Sequence, residues 1–180
     1  MNFNPRKLLV VVGNPHSGKM RTLQYLFRRK QFYIFKQPIK LDASWKEKFI
    51  VVNARDPYSR TDEQLHRIKS VIQYHTASDT SFLINLNLVL DNSEFDIRKI
   101  LSYFNQSAFE IHYFVLYSSW FDKRVISGEN ISQLKQLVEN GSIYIFERLV
   151  TQSELRFNER VEELKEVIGK IFGVIVDSGE

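Results

Sequence analysis

The feature that most constrains the fold is a short apolar run that leads directly into a glycine-containing loop and then into a helix. Leu8–Val12 is apolar throughout and rich in β-branched residues, which is typical of a strand buried on both faces of a parallel sheet. The next residues have the form G-x-x-x-x-G-K from Gly13 to Lys19. Apolar residues then recur at helical spacing from Leu23 to Phe27.

A loop of this form between a strand and a helix is suited to binding phosphate. Gly13 and Gly18 allow the backbone to curl so that successive N–H groups point into one concavity, and Lys19 adds a cation. The N-terminus of the following helix directs further unpaired N–H groups at the same place. An ordinary βα turn is the alternative. The residues expected to contact a bound phosphate are Gly13, Asn14, Pro15, His16, Ser17, Gly18, Lys19, Met20 and Arg21.

The run GNPHSGK resembles the Walker A motif of the P-loop nucleoside triphosphate hydrolase superfamily. The resemblance implies a doubly wound α/β domain that binds ATP or GTP, with NTPase or small-molecule kinase activity. The superfamily pattern has Ser or Thr after the lysine, where the hydroxyl ligates Mg²⁺, and this chain has Met20. A thioether is a soft ligand and Mg²⁺ prefers hard oxygen. Thr22 follows two residues later, turned by roughly 200° around the helix, so the usual protein ligand for Mg²⁺ is missing.

The rest of the chain alternates apolar strands with amphipathic helices. This alternation, with short connections, predicts one α/β domain over residues 1–180, with a doubly wound, mainly parallel five-stranded sheet, helices on both faces and a central first strand. Further strands are predicted at 49–53, 82–90, 111–117 and 143–146, and helices at 18–30, from 61, from 93, at 131–139 and from 153.

Several helix ends have capping signals. Thr61–Gln64 has the form of a capping box, and Asp91 or Ser93 is placed to cap the third helix. Ser153 is the expected N-cap of the last helix and Gly173 its C-terminal stop. Arg28–Lys30 is expected in the last turn of the first helix, where cations complement the helix dipole.

Two acidic residues are candidates for the site because ligands bind beyond the carboxyl ends of parallel strands. Asp91 follows Leu88–Leu90 and resembles the acidic residue that holds Mg²⁺ in the superfamily. If the strand ends near Leu86, however, asparagine takes that position. Asp56 follows the second strand, where small-molecule kinases with such a loop commonly bind their acceptor. Its neighbours Pro57 and Tyr58 are equally typical of a turn.

The segment 118–130 follows the fourth strand and contains Lys123 and Arg124. In kinases of the superfamily a mobile lid in this region supplies basic residues that stabilise the transferring phosphoryl group. The alternatives are a plain surface loop, or one that Trp120 and Phe121 anchor to the body of the domain.

Charge is distributed unevenly along the chain. The first 48 residues have a balance of +9 and the remainder has −5. We expect the basic quarter to surround the predicted loop and to favour an anionic ligand. The acidic remainder argues against an extended track for nucleic acid. The chain has no cysteine and no apolar run of membrane-spanning length, which predicts a cytoplasmic protein without disulfides, thiol catalysis or membrane partner.

Three functions therefore remain open, and the last of them is a module that binds nucleic acid through the basic first quarter, against which the acidic remainder argues. The first is a nucleotide-binding NTPase or small-molecule kinase that uses Lys19, Asp56, Asp91, Lys123 and Arg124 in catalysis, with Asp91 on the metal. The second is a catalytically impaired domain that binds a phosphorylated ligand or acts through protein partners, as Met20 favours.

Overall fold

Five strands and five helices alternate along the chain. The computed structural model describes residues 5–32, 37–52, 60–76, 80–91 and 94–174. The elements are, in order, β1 (Lys7–Gly13), α1 (Lys19–Leu26), β2 (Phe49–Val52), α2 (Thr61–Tyr74), β3 (Ser81–Asn87), α3 (Arg98–Asn105), β4 (Glu110–Leu116), α4 (Gly128–Leu137), β5 (Ser142–Phe146) and α5 (Glu154–Phe172). None of the helices among the described residues is both long enough and apolar enough to cross a membrane.

The strands form one sheet in the order β2-β3-β1-β4-β5, and every pairing is parallel. The first strand is central, as predicted, and Leu8–Val12 is fully buried. Leu8, Val10 and Val12 face one layer of helices, whereas Leu9 and Val11 face the other. The doubly wound fold predicted from the sequence is confirmed.

The direction of chain travel explains which helices share a face. The chain moves from β1 to the far edge through α1, and then returns across the sheet through α2, α3 and α4. Crossovers in parallel sheets are right-handed, so opposite directions of travel place the helices on opposite faces. Accordingly, α2, α3 and α4 contribute to one core and α1 and α5 to the other.

The first helix is shorter than predicted. It ends at Leu26, Phe27 caps it and Arg28 adopts a left-handed φ of 51°, so the prediction that Arg28–Lys30 lies in its last turn is wrong. Phe27 packs edge-on against both Phe32 and Phe49, which lie beyond the turn. These rings can pack together only if the chain reverses direction after Phe27. Their packing therefore prevails over the helical periodicity of the sequence.

The predicted N-terminal caps of α2 and α3 are also wrong, whereas both predicted caps of α5 are confirmed. Thr61 donates its hydroxyl to the Glu94 carbonyl at 2.7 Å instead of capping its own helix. The third helix begins at Arg98, beyond Asp91, and Asp96 accepts from the Arg98 N–H at 2.8 Å; Ser93 lies outside the described residues. The Ser153 hydroxyl accepts from the Arg156 N–H, and Gly173 ends α5 with φ 64°.

Candidate functional site

The loop Gly13–Lys19 lies at the carboxyl end of the central strand. The helix that follows β1 packs on one face of the sheet, whereas the helices that follow its neighbours β3 and β4 pack on the other. Such a switch point opens a crevice at the strand ends, which is where ligands bind in open α/β sheets. The topology therefore places the loop at the preferred ligand position of the fold.

Two left-handed residues produce the curl of this loop. His16 has φ 62° and Gly18 has φ 86°, and the Ser17 N–H closes a turn onto the Asn14 carbonyl at 3.1 Å. A left-handed conformation costs a non-glycine residue roughly 1–2 kcal/mol. Strain of this kind is concentrated at functional sites, and His16 is the exposed residue that carries it here.

The side chain of Lys19 is folded back into the loop. Its Nζ donates to the Asn14 carbonyl at 2.7 Å, the Gly13 carbonyl at 3.1 Å and the Ser17 hydroxyl at 3.3 Å. The residue is only 8% exposed, and burial lowers the pKa of Lys19 to about 7. Three oxygen acceptors favour the ammonium form while the loss of water disfavours it, so the charge on this side chain is finely balanced near neutral pH.

Neither Met20 nor Thr22, which follow Lys19 in the first turn of α1, offers an oxygen ligand to the loop. Met20 is half-buried and packs against the core that α1 and α5 share. Thr22 is fully buried, and its hydroxyl donates to the Gly18 carbonyl at 3.0 Å within the helix. The expectation that Thr22 does not replace the missing hydroxyl therefore agrees with its position in the structure.

The segment 118–125 braces the loop from the β4 side. The Ser119 hydroxyl donates to the His16 carbonyl at 3.1 Å, and Ser118 forms a bridge with Val125. The same segment is attached to the residues after β5, because the Ser118 hydroxyl donates to the Arg148 carbonyl at 2.8 Å. In this structure the predicted lid is folded against the body of the domain.

Lys123 and Arg124 are both exposed at the tip of this segment. The Arg124 guanidinium pairs with Asp122, with Nε 2.6 Å from the carboxylate. Hydrogen bonds from Arg124 lower the pKa of Asp122 to about 2, so the Asp122 carboxylate is ionised throughout the neutral range.

Of the two predicted acidic residues, the structure describes Asp91 but not Asp56. Asp91 is exposed and lies four residues beyond the end of β3. The register partner of Gly13 on β3 is Asn87, a neutral amide, and Leu88 donates its N–H to the Gly13 carbonyl at 2.9 Å. Asp56 lies outside the described residues. Within the part of the chain that the structure describes, no group of three or more His, Asp or Glu side chains is placed to hold a metal ion.

The positive charge of the first quarter is divided between the two ends of the sheet. Lys7 pairs with Glu110 at the amino end, and Arg6 lies there too, donating to the His75 carbonyl at 2.9 Å. The expectation that the basic quarter surrounds the loop is therefore wrong for these two residues. Arg21 lies on the first helix, with its guanidinium 4.1 Å from the centroid of the Trp120 ring and in an ion pair with Glu154.

Sequence reasoning missed Arg160, a fully buried cation beside the loop. Its Nη1 donates to the Ser118 carbonyl at 3.0 Å, and its Nη2 lies 3.8 Å from where a Cβ on Gly18 would stand. The sequence does contain a signal for this residue, because Arg160 lies between Phe157 and Leu164 on the apolar stripe of α5. A charged residue at the centre of a buried stripe needs a reason to be there.

A scan against protein-family models, a search of curated proteins and a search of solved structures each returned no match to this chain.

Proposed function

We propose that this chain binds a phosphorylated nucleotide, ATP or GTP, through the Gly13–Lys19 loop. The observation that carries the proposal is the buried Lys19 side chain, enclosed by a strained loop at the switch point of the sheet. A phosphate group offers this lysine stronger, charged acceptors than the loop carbonyls that it contacts in the structure. The N-terminus of α1 adds backbone N–H donors and the positive end of its dipole.

In the binding step, Lys19 would exchange the Gly13 and Asn14 carbonyls for phosphate oxygens. This exchange moves Nζ toward the mouth of the loop and leaves the Leu88 N–H as the partner of the Gly13 carbonyl. The loop therefore does not lose all its internal hydrogen bonds when the lysine moves. A free phosphorylated small molecule would satisfy the same donors as a nucleotide would.

Whether the bound nucleotide is turned over is a separate question. An NTPase or small-molecule kinase would need an acceptor site, for which Asp56 is the candidate, and basic groups on the transferred phosphate, for which Lys123 and Arg124 are candidates. Asp91 is the candidate for a metal-bound carboxylate. The cytoplasm, where we expect the protein, supplies both nucleotides and Mg²⁺.

A second candidate function is a catalytically impaired domain that binds the phosphorylated ligand and acts through partners. The specific observation in its favour is that Met20 packs against the core and the Thr22 hydroxyl donates to the Gly18 carbonyl. Without a hydroxyl at the helix start, Mg²⁺ must rely on water, phosphates and a distant carboxylate. Poor metal positioning lowers turnover more than it lowers binding.

The proposal is tested by titrating ATP, GTP and pyrophosphate, with and without Mg²⁺, while following heat and tryptophan fluorescence. Trp120 adjoins Gly18, whereas Trp45 is buried elsewhere in the core. In a Trp45→Phe background the emission therefore reports on the surroundings of the loop. We expect Lys19→Ala to weaken binding by at least about tenfold, since a charged hydrogen bond is worth roughly 1.5–3 kcal/mol.

Lys46→Ala is the matched control, because it removes one positive charge from an exposed position in the basic quarter. It should leave the affinity within about twofold of the native value, as exposed charges interact weakly with distant groups. If Lys19→Ala binds each ligand as tightly as the native chain does, the ligand lies elsewhere. Equal losses in both variants would indicate general electrostatic attraction instead of a built site.

A further inference from the structure

The largest fully buried side chain among the described residues is a cation, Arg160. One of its nitrogens, Nη1, is hydrogen-bonded to the Ser118 carbonyl. The other two, Nε and Nη2, are buried and have no hydrogen-bond partner in the described structure. None of the ion pairs formed by described residues includes Arg160, and its Cζ lies 5.5 Å from the centroid of the Phe157 ring.

This arrangement is costly for a folded protein. A buried charge normally has an opposite charge and a full set of hydrogen bonds, because desolvation otherwise outweighs what it contributes. Burial lowers the pKa of Arg160 to about 10, so the group remains cationic at neutral pH. The folded protein thus keeps a positive charge and two N–H donors without a hydrogen-bond partner inside the described core.

The position of this charge relates it to the loop. Nη2 lies 3.8 Å from where a Cβ on Gly18 would stand, and Gly18 caps the first helix at the loop. A second connection runs through hydrogen bonds, because Arg160 holds the Ser118 carbonyl and the adjacent Ser119 hydroxyl holds the His16 carbonyl. Arg160 therefore both braces the strained loop and adds positive charge behind it.

We propose that Arg160 is a positioning residue whose unpaired charge is balanced by the anion bound at the Gly13–Lys19 loop, so that the site favours polyphosphates over singly phosphorylated ligands. The inference depends on the proposed function, since it requires an anion at this loop. A ligand with more negative charge gains more from the fixed cation, because the Coulomb energy scales with the product of the charges. The chemical class that it favours is a diphosphate or triphosphate group.

The experiment compares three inorganic probes, orthophosphate, pyrophosphate and tripolyphosphate, on matched variants at two salt concentrations. Arg160→Gln keeps an N–H donor for the Ser118 carbonyl but has no charge, whereas Arg160→Lys keeps the charge. We expect Arg160→Gln to weaken tripolyphosphate binding by about tenfold or more and orthophosphate binding by less, with a shallower salt dependence. Arg160→Lys should stay within about threefold of the native affinity for all three probes.

Two results would overturn the inference alone while the native chain still binds phosphate. One is unchanged tripolyphosphate affinity in Arg160→Gln. The other is an equal loss for all three anions in both variants, which would assign Arg160 a purely structural role. If the native chain binds none of the probes, the proposed function itself fails.

A measurement on the native chain avoids any dependence on how the variants fold. Because the Arg160 Nε–H is buried, we expect it to give a protected resonance in a proton–nitrogen spectrum, identified by its loss in Arg160→Lys. We expect pyrophosphate to shift this resonance in the native protein at the concentration that occupies the loop. A resonance that stays unmoved through saturation would contradict the proposed coupling.

Discussion

Replacing Gly18 by alanine should destabilise the protein for two separable reasons. The residue has φ 86°, a conformation that costs an L-amino acid roughly 1–2 kcal/mol. A Cβ at this position would also stand 2.9 Å from the Cβ of Trp120, a distance at which something must move. Overpacking of this kind costs roughly 1–3 kcal/mol.

The two effects together predict that Gly18→Ala lowers the free energy of unfolding by about 3 kcal/mol. In a chain of 180 residues, each kcal/mol shifts the melting temperature by roughly 2–4 °C. The expected fall in melting temperature is therefore about 6–12 °C. Because the displaced Trp120 adjoins the loop, nucleotide affinity should fall as well.

Two other glycines provide matched controls. Gly173 has φ 64° but nothing within 4 Å of its missing Cβ, so Gly173→Ala has only the conformational cost of about 1–2 kcal/mol. Gly128 has neither a left-handed φ nor a neighbour within 4 Å. Gly128→Ala should be neutral or stabilise by up to about 1 kcal/mol, since it reduces the freedom of the unfolded chain.

The assay is thermal and urea unfolding of the four proteins, followed by circular dichroism. The expected order of stability is Gly128→Ala, at or above the native chain, then Gly173→Ala, then Gly18→Ala. If Gly18→Ala is no less stable than Gly173→Ala, the close approach of Trp120 to the loop does not exist in solution. The support that segment 118–125 gives to the Gly13–Lys19 loop would then be absent as well.

Two further predictions concern protons and metal at the same loop. Burial lowers the pKa of Lys19 from 10.5 to about 7, so between these pH values the folded state binds fewer protons than the unfolded state and stability should rise with pH. Lys19→Met should flatten this rise in urea unfolding measured from pH 6 to 10, and an unchanged slope would show that another group titrates. For metal, nucleotide affinity of the native chain should depend weakly on Mg²⁺ and hydrolysis should be slow without an acceptor. Met20→Ser should strengthen the Mg²⁺ dependence, and brisk Mg²⁺-dependent turnover by the native chain would contradict this.

Several features of the fold could be predicted because they depend on neighbouring residues. Leu8–Val12 is apolar on both sides of a strand, as is typical of a strand buried on both faces of a parallel sheet. Ser153 and Gly173 mark the ends of α5 through hydrogen bonds and dihedral angles that involve only adjacent turns. The left-handed φ of Gly18, which helps to curl the Gly13–Lys19 loop, is likewise a local property of the chain.

Other features were decided by contacts between distant parts of the chain. Thr61 is bonded to Glu94 instead of its own helix, and the rings of Phe27 and Phe32 end α1 before Arg28. Local propensities contribute only tenths of a kcal/mol per residue, and packing of large side chains readily exceeds them.

The candidate site likewise has one part that depends on neighbouring residues and another that depends on contacts between distant parts of the chain. By itself the sequence determined the loop, its lysine and the missing hydroxyl at Met20, because a loop of this form is built from consecutive residues. Only the tertiary structure placed the Arg160 guanidinium on the Ser118 carbonyl, 42 residues away, and the Ser119 hydroxyl on His16, 103 residues away. Electrostatic energy depends on distance in space and on burial, and neither quantity can be obtained from the order of residues before the chain has folded.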